Sequence, residues 1–164
     1  MTTEICNEKQ ALVERLGVFM EQKEQLAPLA ARILSYIVLT GKKGTTFEDL
    51  VRVLCASKST ISTHLNHLAD LNRIVYFTKP GDRKKYYTIN QDSILQSIDT
   101  MMASWIAQKE LHLEIKDYKE KFNSKASPEE PKLELDFHDS YIKFLEEVTQ
   151  SVANLRSKII EKKY

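Results

Sequence analysis

Apolar side chains recur with a helical period in six stretches of the chain and switch to a strand-like run in one place. The first stretch, Asn7 to Gln25, spaces Leu12, Leu16, Phe19 and Met20 along one face with Glu and Lys between them. Pro28 suits the first turn of a second helix, where its missing N–H is no loss. That helix, Pro28 to Thr40, carries Ile33, Tyr36, Ile37 and Leu39 and ends at Gly41, a C-terminal cap. After the loop Gly41-Lys42-Lys43-Gly44, Thr46-x-x-Asp49 resembles a capping box with Asp in the usual Glu position. It opens a short helix with Phe47, Leu50, Val51 and Leu54 inward. A break at Cys55-Ala56 follows, and Ser57 caps the next helix, which runs to about Leu71 on Ile61, Leu65 and Leu68. Two short helices joined by about three residues form a helix-turn-helix pattern.

The period then changes. Ile74-Val75-Tyr76-Phe77 and Tyr86-Tyr87-Thr88-Ile89 are β-branched and aromatic, and the Pro80-Gly81 turn signal lies between them. They predict a β-hairpin with a basic tip, the one sheet read from the chain. A long helix begins at Ser93, with Ile94, Ile98, Met101 and Trp105 on one stripe and Leu95, Met102 and Ile106 beside it. Its stripe thins toward Phe122, and residues about 123–133 read as a linker by composition. The last helix, about Phe137 to Lys162, carries Tyr141, Leu145, Val148, Val152, Leu155 and Ile159 as a heptad seam, backed by Phe144 and Ile160. Such a seam demands a covering surface: a second copy, or the long helix of the same chain.

The resulting architecture is mainly α with a small β-hairpin wing. Residues 1–27 form an N-terminal helical arm, 28–92 a winged helix-turn-helix, and 93–164 a helical dimerisation region. Composition agrees. Four glycines and four prolines in 164 residues fall under half the usual share of about 12%, too few for a many-stranded sandwich or barrel. No apolar run spans a bilayer, and Met1-Thr2-Thr3-Glu4 lacks the character of a secretory signal. Cys6 and Cys55 stand far apart with no Cys-x-x-Cys pair, so a reducing, cytoplasmic setting is expected. Cys55, among apolar neighbours, reads as a small core residue.

A formal net charge of +1 conceals an uneven distribution. Between Gly41 and Asn90 nine basic side chains meet four acidic ones, so the remainder of the chain is acidic. A basic centre between acidic arms is the footprint of a segment that meets phosphate. With Ile61, Leu65 and Leu68 inward, the second helix of the pair sends Ser59, Thr60, Thr63, Asn66 and His67 outward, with Lys58 and His64 at the edges. Short polar side chains on a helix of this size suit base edges in the major groove. Lys58 and Arg73 suit phosphate. On the hairpin, Lys79, Arg83, Lys84 and Lys85 form a second contact, with Arg83 suited to the narrow minor groove. Asp82 is expected to accept hydrogen bonds from a neighbouring arginine and fix its direction.

From about Pro28 to Asn90 the chain resembles the MarR superfamily of regulators, and more closely its GbsR-like branch. The resemblance rests on Ser57-Lys58-Ser59 and on the wing Pro80-Gly81-Asp82-Arg83-Lys84-Lys85-Tyr86-Tyr87. It implies a homodimeric, ligand-responsive transcription regulator, most simply a repressor, with double-stranded DNA and a second copy as partners. The terminal helices would form the dimer interface through Leu12, Leu16, Phe19, Tyr141, Leu145, Val148, Val152, Leu155 and Ile159. Tyr36, Met101, Met102 and Trp105 are candidates to line an effector cavity between wing domain and dimer helices. Aromatic cages hold quaternary ammonium groups, and the GbsR-like branch is associated with choline sensing. An N-terminal cysteine serves redox sensing in another branch, but no basic cluster adjoins Cys6 to activate it. His64 and His67 lack companion metal ligands, so neither metal nor cofactor is expected. No catalytic grouping is present, and an enzyme is not expected. The alternative function is a winged-helix protein-interaction module of a larger assembly.

Overall fold

A computed structural model describes residues 3–161, with side chains from Glu4 onward. The expected end of the last helix at Lys162 and the start of the N-terminal reading, Met1-Thr2, lie outside these residues. The chain forms two compact units, one up to Ser93 and one from Ile94.

In the first unit, α1 (Thr3–Glu24) lies along α2 (Pro28–Thr40). The face of α1 that packs is Val13 and Gly17 with Leu16 and Met20, while Phe19, expected at a dimer interface, is 56% exposed. The approach is close. A Cβ at Gly17 would meet Arg32 Cγ at 2.9 Å, and the Arg32 guanidinium donates to Glu14 at 2.7 Å and to the Pro28 carbonyl at 2.9 Å. Gly41 ends α2 at φ +66 and donates its N–H to the Ile37 carbonyl.

Thr46 caps the next helix as expected, but the Asp49 side chain reaches back to the Thr46 hydroxyl where a capping box would use the Thr46 amide. Thr46 Oγ1 accepts from the Asp49 amide at 3.2 Å and donates to the Asp49 carboxylate at 2.8 Å, opening α3 (Phe47–Leu54). Ser57 caps α4 (Lys58–Asp70) by accepting from the Thr60 amide. Between them Cys55 takes φ +49 in the left-handed region, which ends α3. That turn leaves Cys55 exposed and corrects its expected core placement.

The strands fall where the period changes: β2 (Ile74–Phe77) and β3 (Tyr86–Ile89) pair antiparallel from Ile74 opposite Ile89 to Phe77 opposite Tyr86. The sheet has a third strand that the sequence reading lacks. Thr45–Thr46 forms β1, opposite Tyr87 and Tyr86, giving the order β1-β3-β2. Ile33, Leu34, Ile37, Leu50, Ile61, Leu65, Leu68 and Ile74 close into one buried cluster from α2, α3, α4 and β2.

The second unit is an antiparallel helical hairpin. α5 runs Gln91–Lys125 and α6 runs Asp136–Glu161. Asp99 pairs with Arg156, Gln108 with Tyr141, and Lys116 with Asp139. The segment expected as a linker is in part helix and in part pinned loop. α5 continues to Lys125, and the Asn123 side chain clasps Leu133 by donating to its carbonyl and accepting from its amide, at 2.9 and 2.8 Å. The hairpin covers Leu145 fully, whereas Leu155 of the same seam stays 51% exposed. Among the described residues, no helix is long and apolar enough to cross a membrane.

Candidate nucleic-acid interface

The underside of α4 is sealed by Ile61, Leu65 and Leu68. Its outer face presents Lys58, Ser59, Thr60, Thr63, Asn66 and His67 to solvent, with His64 half-buried at the edge. Ser62 is exposed on the same helix and was missing from the sequence reading, although its small polar side chain gave the signal. The hydroxyls at the entering end are already organised. Ser57 Oγ lies 3.0 Å from Ser59 Oγ and 2.7 Å from Thr60 Oγ1, and Thr63 Oγ1 donates to the Ser59 carbonyl. Base contact would exchange these local bonds for others.

The wing tip is built from two turns. The Asp82 amide donates to the Lys79 carbonyl at 3.0 Å, with Pro80 and Gly81 (φ +76) as central residues. A proline then a residue at positive φ is the requirement of a type II turn. Next, Asp82 Oδ1 accepts from the Lys84 amide at 2.9 Å and Oδ2 accepts from the Tyr86 hydroxyl at 2.6 Å. The expected arginine partner of Asp82 is therefore replaced by a tyrosine and a backbone amide. Those donors, Tyr86 first, hold the Asp82 carboxyl below its ordinary pKa, and the carboxylate pushes the Tyr86 phenol up.

Arg83, Lys84 and Lys85 are exposed at this tip. Lys79 and Lys85 rest their ammonium groups on aromatic faces, 3.8 Å from the Tyr86 centroid and 4.2 Å from that of Tyr76. Such contacts are worth about 0.5–1 kcal/mol at exposed sites, so phosphate can displace them. Arg73 behaves differently. Its guanidinium donates to Glu24 at 2.6 Å with both side chains mostly covered. It ties the base of the wing to the end of α1, so a phosphate at Arg73 would compete with Glu24.

Tyr36 lines a cavity of about 610 Å³ in the first unit, together with Lys9, Lys43, Thr45, Asp49 and Arg52. Lys9 Nζ donates to Thr40 at 2.8 Å and sits 3.9 Å over the Tyr36 ring. Burial and then the nearby Lys43 lower the Lys9 pKa, and burial raises that of Tyr36. The Thr45 hydroxyl is buried without a hydrogen-bond partner among the described residues. Of the other expected cavity residues, all on the second unit, Met102 and Trp105 are half-buried and Met101 is exposed. Cys6 is exposed, and the described residues contain no cluster of three metal-ligating side chains.

A helix-turn-helix followed by a basic β-hairpin, with a short strand ahead of the two helices completing the sheet, is a winged helix. The fold agrees with a solved structure described as a transcriptional regulator, which matches 94% of this chain and 99% of its own at a TM-score of 0.50 and 19% identity. A mutant of S. aureus MepR bound to an oligodeoxyribonucleotide aligns with 74% of this chain and 91% of its own, at a TM-score of 0.42 and 18% identity. In sequence, the chain is 28% identical over 81 residues to the HTH-type transcriptional regulator MmpR5 of Mycobacterium tuberculosis. That match covers 49% of this chain and 48% of the relative, so the chain spans about half the length of the relative it matches. No family model matches.

Proposed function

We propose that this protein is a cytoplasmic DNA-binding transcription regulator of the MarR superfamily, GbsR-like in its wing, acting as a two-fold dimer. The observation that carries the reading is the exposed polar face of α4 over a sealed apolar underside, in one unit with a basic wing. In this reading α4 enters the major groove through Ser59, Thr60, Thr63 and His67, and Arg83 enters the minor groove. Lys58, Lys84 and Lys85 meet phosphate, with Lys79 joining them when it leaves Tyr86. Two-fold symmetry would place two reading helices about 34–36 Å apart on a near-palindromic site. Apolar side chains left exposed on α1 and α6, Phe19 and Leu155 among them, support a dimer.

The cavity at Tyr36 supports a ligand-responsive regulator, most simply a repressor. Lys9 already occupies the Tyr36 ring face, and Lys43 adds a second cation. The wall also holds Glu8, Asp49 and Arg52, so a small molecule with polar or charged groups on an apolar body suits the cavity. The cavity wall includes β1, which pairs with β3 of the wing, and α3, the first helix of the helix-turn-helix.

Titration of duplex DNA against salt tests the reading. With about eight phosphate contacts per dimer, log affinity should fall against log salt with a slope of about −7. A slope near zero, or no binding to random duplex at low salt, overturns it in favour of a protein-interaction module. Thr63→Ala should relax base preference, whereas Arg83→Ala should weaken A·T-flanked sites most.

A further inference from the structure

We propose that Tyr86 is a positioning residue for the wing arginine: its hydroxyl holds the Asp82 carboxylate, which fixes the turn that carries Arg83. The consequence for DNA rests on the function proposed above; the positioning itself does not. Asp82 Oδ1 accepts from the amide two residues on, so Arg83 is the central residue of an Asx turn. That turn holds its direction only while the carboxylate is held. The second oxygen, 2.6 Å from the Tyr86 hydroxyl, supplies the hold.

Tyr86 is well rooted for this task. Its backbone is paired with Thr46 on one side and Phe77 on the other. Its ring stacks on Phe77 at 5.6 Å between centroids. Gly44 packs so close to it that an added Cβ would lie 2.9 Å from Tyr86 Cβ. The hydroxyl is thus delivered to the tip by a post fixed in the sheet. It has a second effect. A carboxylate beside an incoming phosphate would repel it, and donors on both oxygens offset part of that charge. Arg83 is left as the outward group, with its backbone ordered before DNA arrives and less freedom to lose on binding.

The test uses the full chain and duplexes selected from random DNA by the wild-type protein, remade with A·T-rich or G·C-rich flanks. Tyr86→Phe keeps the ring, the stack and the melting midpoint. It should reduce the preference for A·T flanks about tenfold, the scale of one hydrogen bond to a charged group. Asp82→Asn should do the same, and the double variant should lose no more than either alone. In an Arg83→Ala background, Tyr86→Phe should change nothing. An unchanged preference, an equal loss on both flanks, or an additive loss with Arg83→Ala overturns the assignment. Amide exchange at Lys84 decides the matter apart from DNA. Exchange should be slow in the wild type and about tenfold faster in Tyr86→Phe for the same bond lost; equal rates overturn the positioning role. A wild type that binds no duplex would remove the DNA reading and leave that exchange result to stand or fall alone.

Discussion

The two units of this molecule are stabilised by different means. In the first, side chains from three helices and a strand close around Ile33, Leu50, Ile61 and Leu68, none of which retains solvent contact. In the second, Ile98 and Leu145 are the only buried apolar side chains among the described residues. The second hairpin is instead laced by Asp99–Arg156, Lys109–Glu146 and Lys116–Asp139. Exposed ion pairs of that kind are worth about 0–1 kcal/mol each. Apolar burial carries about 1.5–3 kcal/mol per large side chain. The first unit therefore encloses its apolar side chains, and the second leaves part of an apolar seam in water, Leu155 included.

The largest expected effect lies in the first unit. Ile61→Ala should cost about 3–4 kcal/mol, because a fully enclosed cluster cannot collapse around the lost volume. Chemical denaturation checks it; a cost below that of an exposed substitution would break the contrast between the units. Gly44→Ala comes next, at about 2–3 kcal/mol. Its backbone sits at φ +72, and the new Cβ would lie 2.9 Å from Tyr86 Cβ and 3.0 Å from the Phe77 ring. Denaturation of that variant should also show the wing loosened, with faster amide exchange along β3.

These two sites also mark what the sequence could reveal. α2 and the paired strands β2 and β3 were legible to the residue, since Pro28, Gly41 and the Pro80-Gly81 turn set their limits locally. The inward stripe of α4 was equally plain, because its period is continuous. β1 was not legible: Thr45–Thr46 is a strand only by virtue of Tyr86 and Tyr87 across from it. The partner of Arg73 is Glu24, 49 positions away, and nothing near Arg73 signals it. Asp82 shows a nearer miss. Tyr86 follows it by four residues across a turn, yet a charge-based reading looks first to arginine. Cys55 misled because its neighbours are apolar while its own φ turns it outward.

A smaller effect sharpens the comparison at the second unit. Leu155→Ala in a lone hairpin should change stability by less than about 0.5 kcal/mol, since half of the side chain is already in water. Covered by a second copy, the same change should cost about 1–2 kcal/mol and make the melting midpoint depend more steeply on protein concentration. Sedimentation across a dilution series separates the two. A monomer at all concentrations would mean that the seam is not a dimer interface.

The smallest effect is a pH dependence confined to the second unit. His138, 6% exposed in the first turn of α6, lies Nδ1 to Nδ1 3.0 Å from His112 of α5. The rings of Phe137 and Tyr141 adjoin the pair. Loss of solvent lowers the His138 pKa first, Lys119 and His112 lower it further, and Asp139 opposes them; the positive end of the helix acts in the same sense. A histidine whose folded-state pKa is depressed favours the folded chain while it is neutral. Its contribution is complete above the unfolded value of about 6.5 and is lost as pH falls from there toward the folded value. Stability measured from about pH 7 to about pH 5 should therefore decline, and His138→Gln should flatten the decline while keeping a hydrogen-bonding group against His112. Ile61→Ala should leave that slope unaltered, because the enclosed side chains of the first unit's cluster are all aliphatic and none titrates between about pH 5 and pH 7. Equal slopes for the wild type and His138→Gln would show that the proton-sensitive contact lies elsewhere.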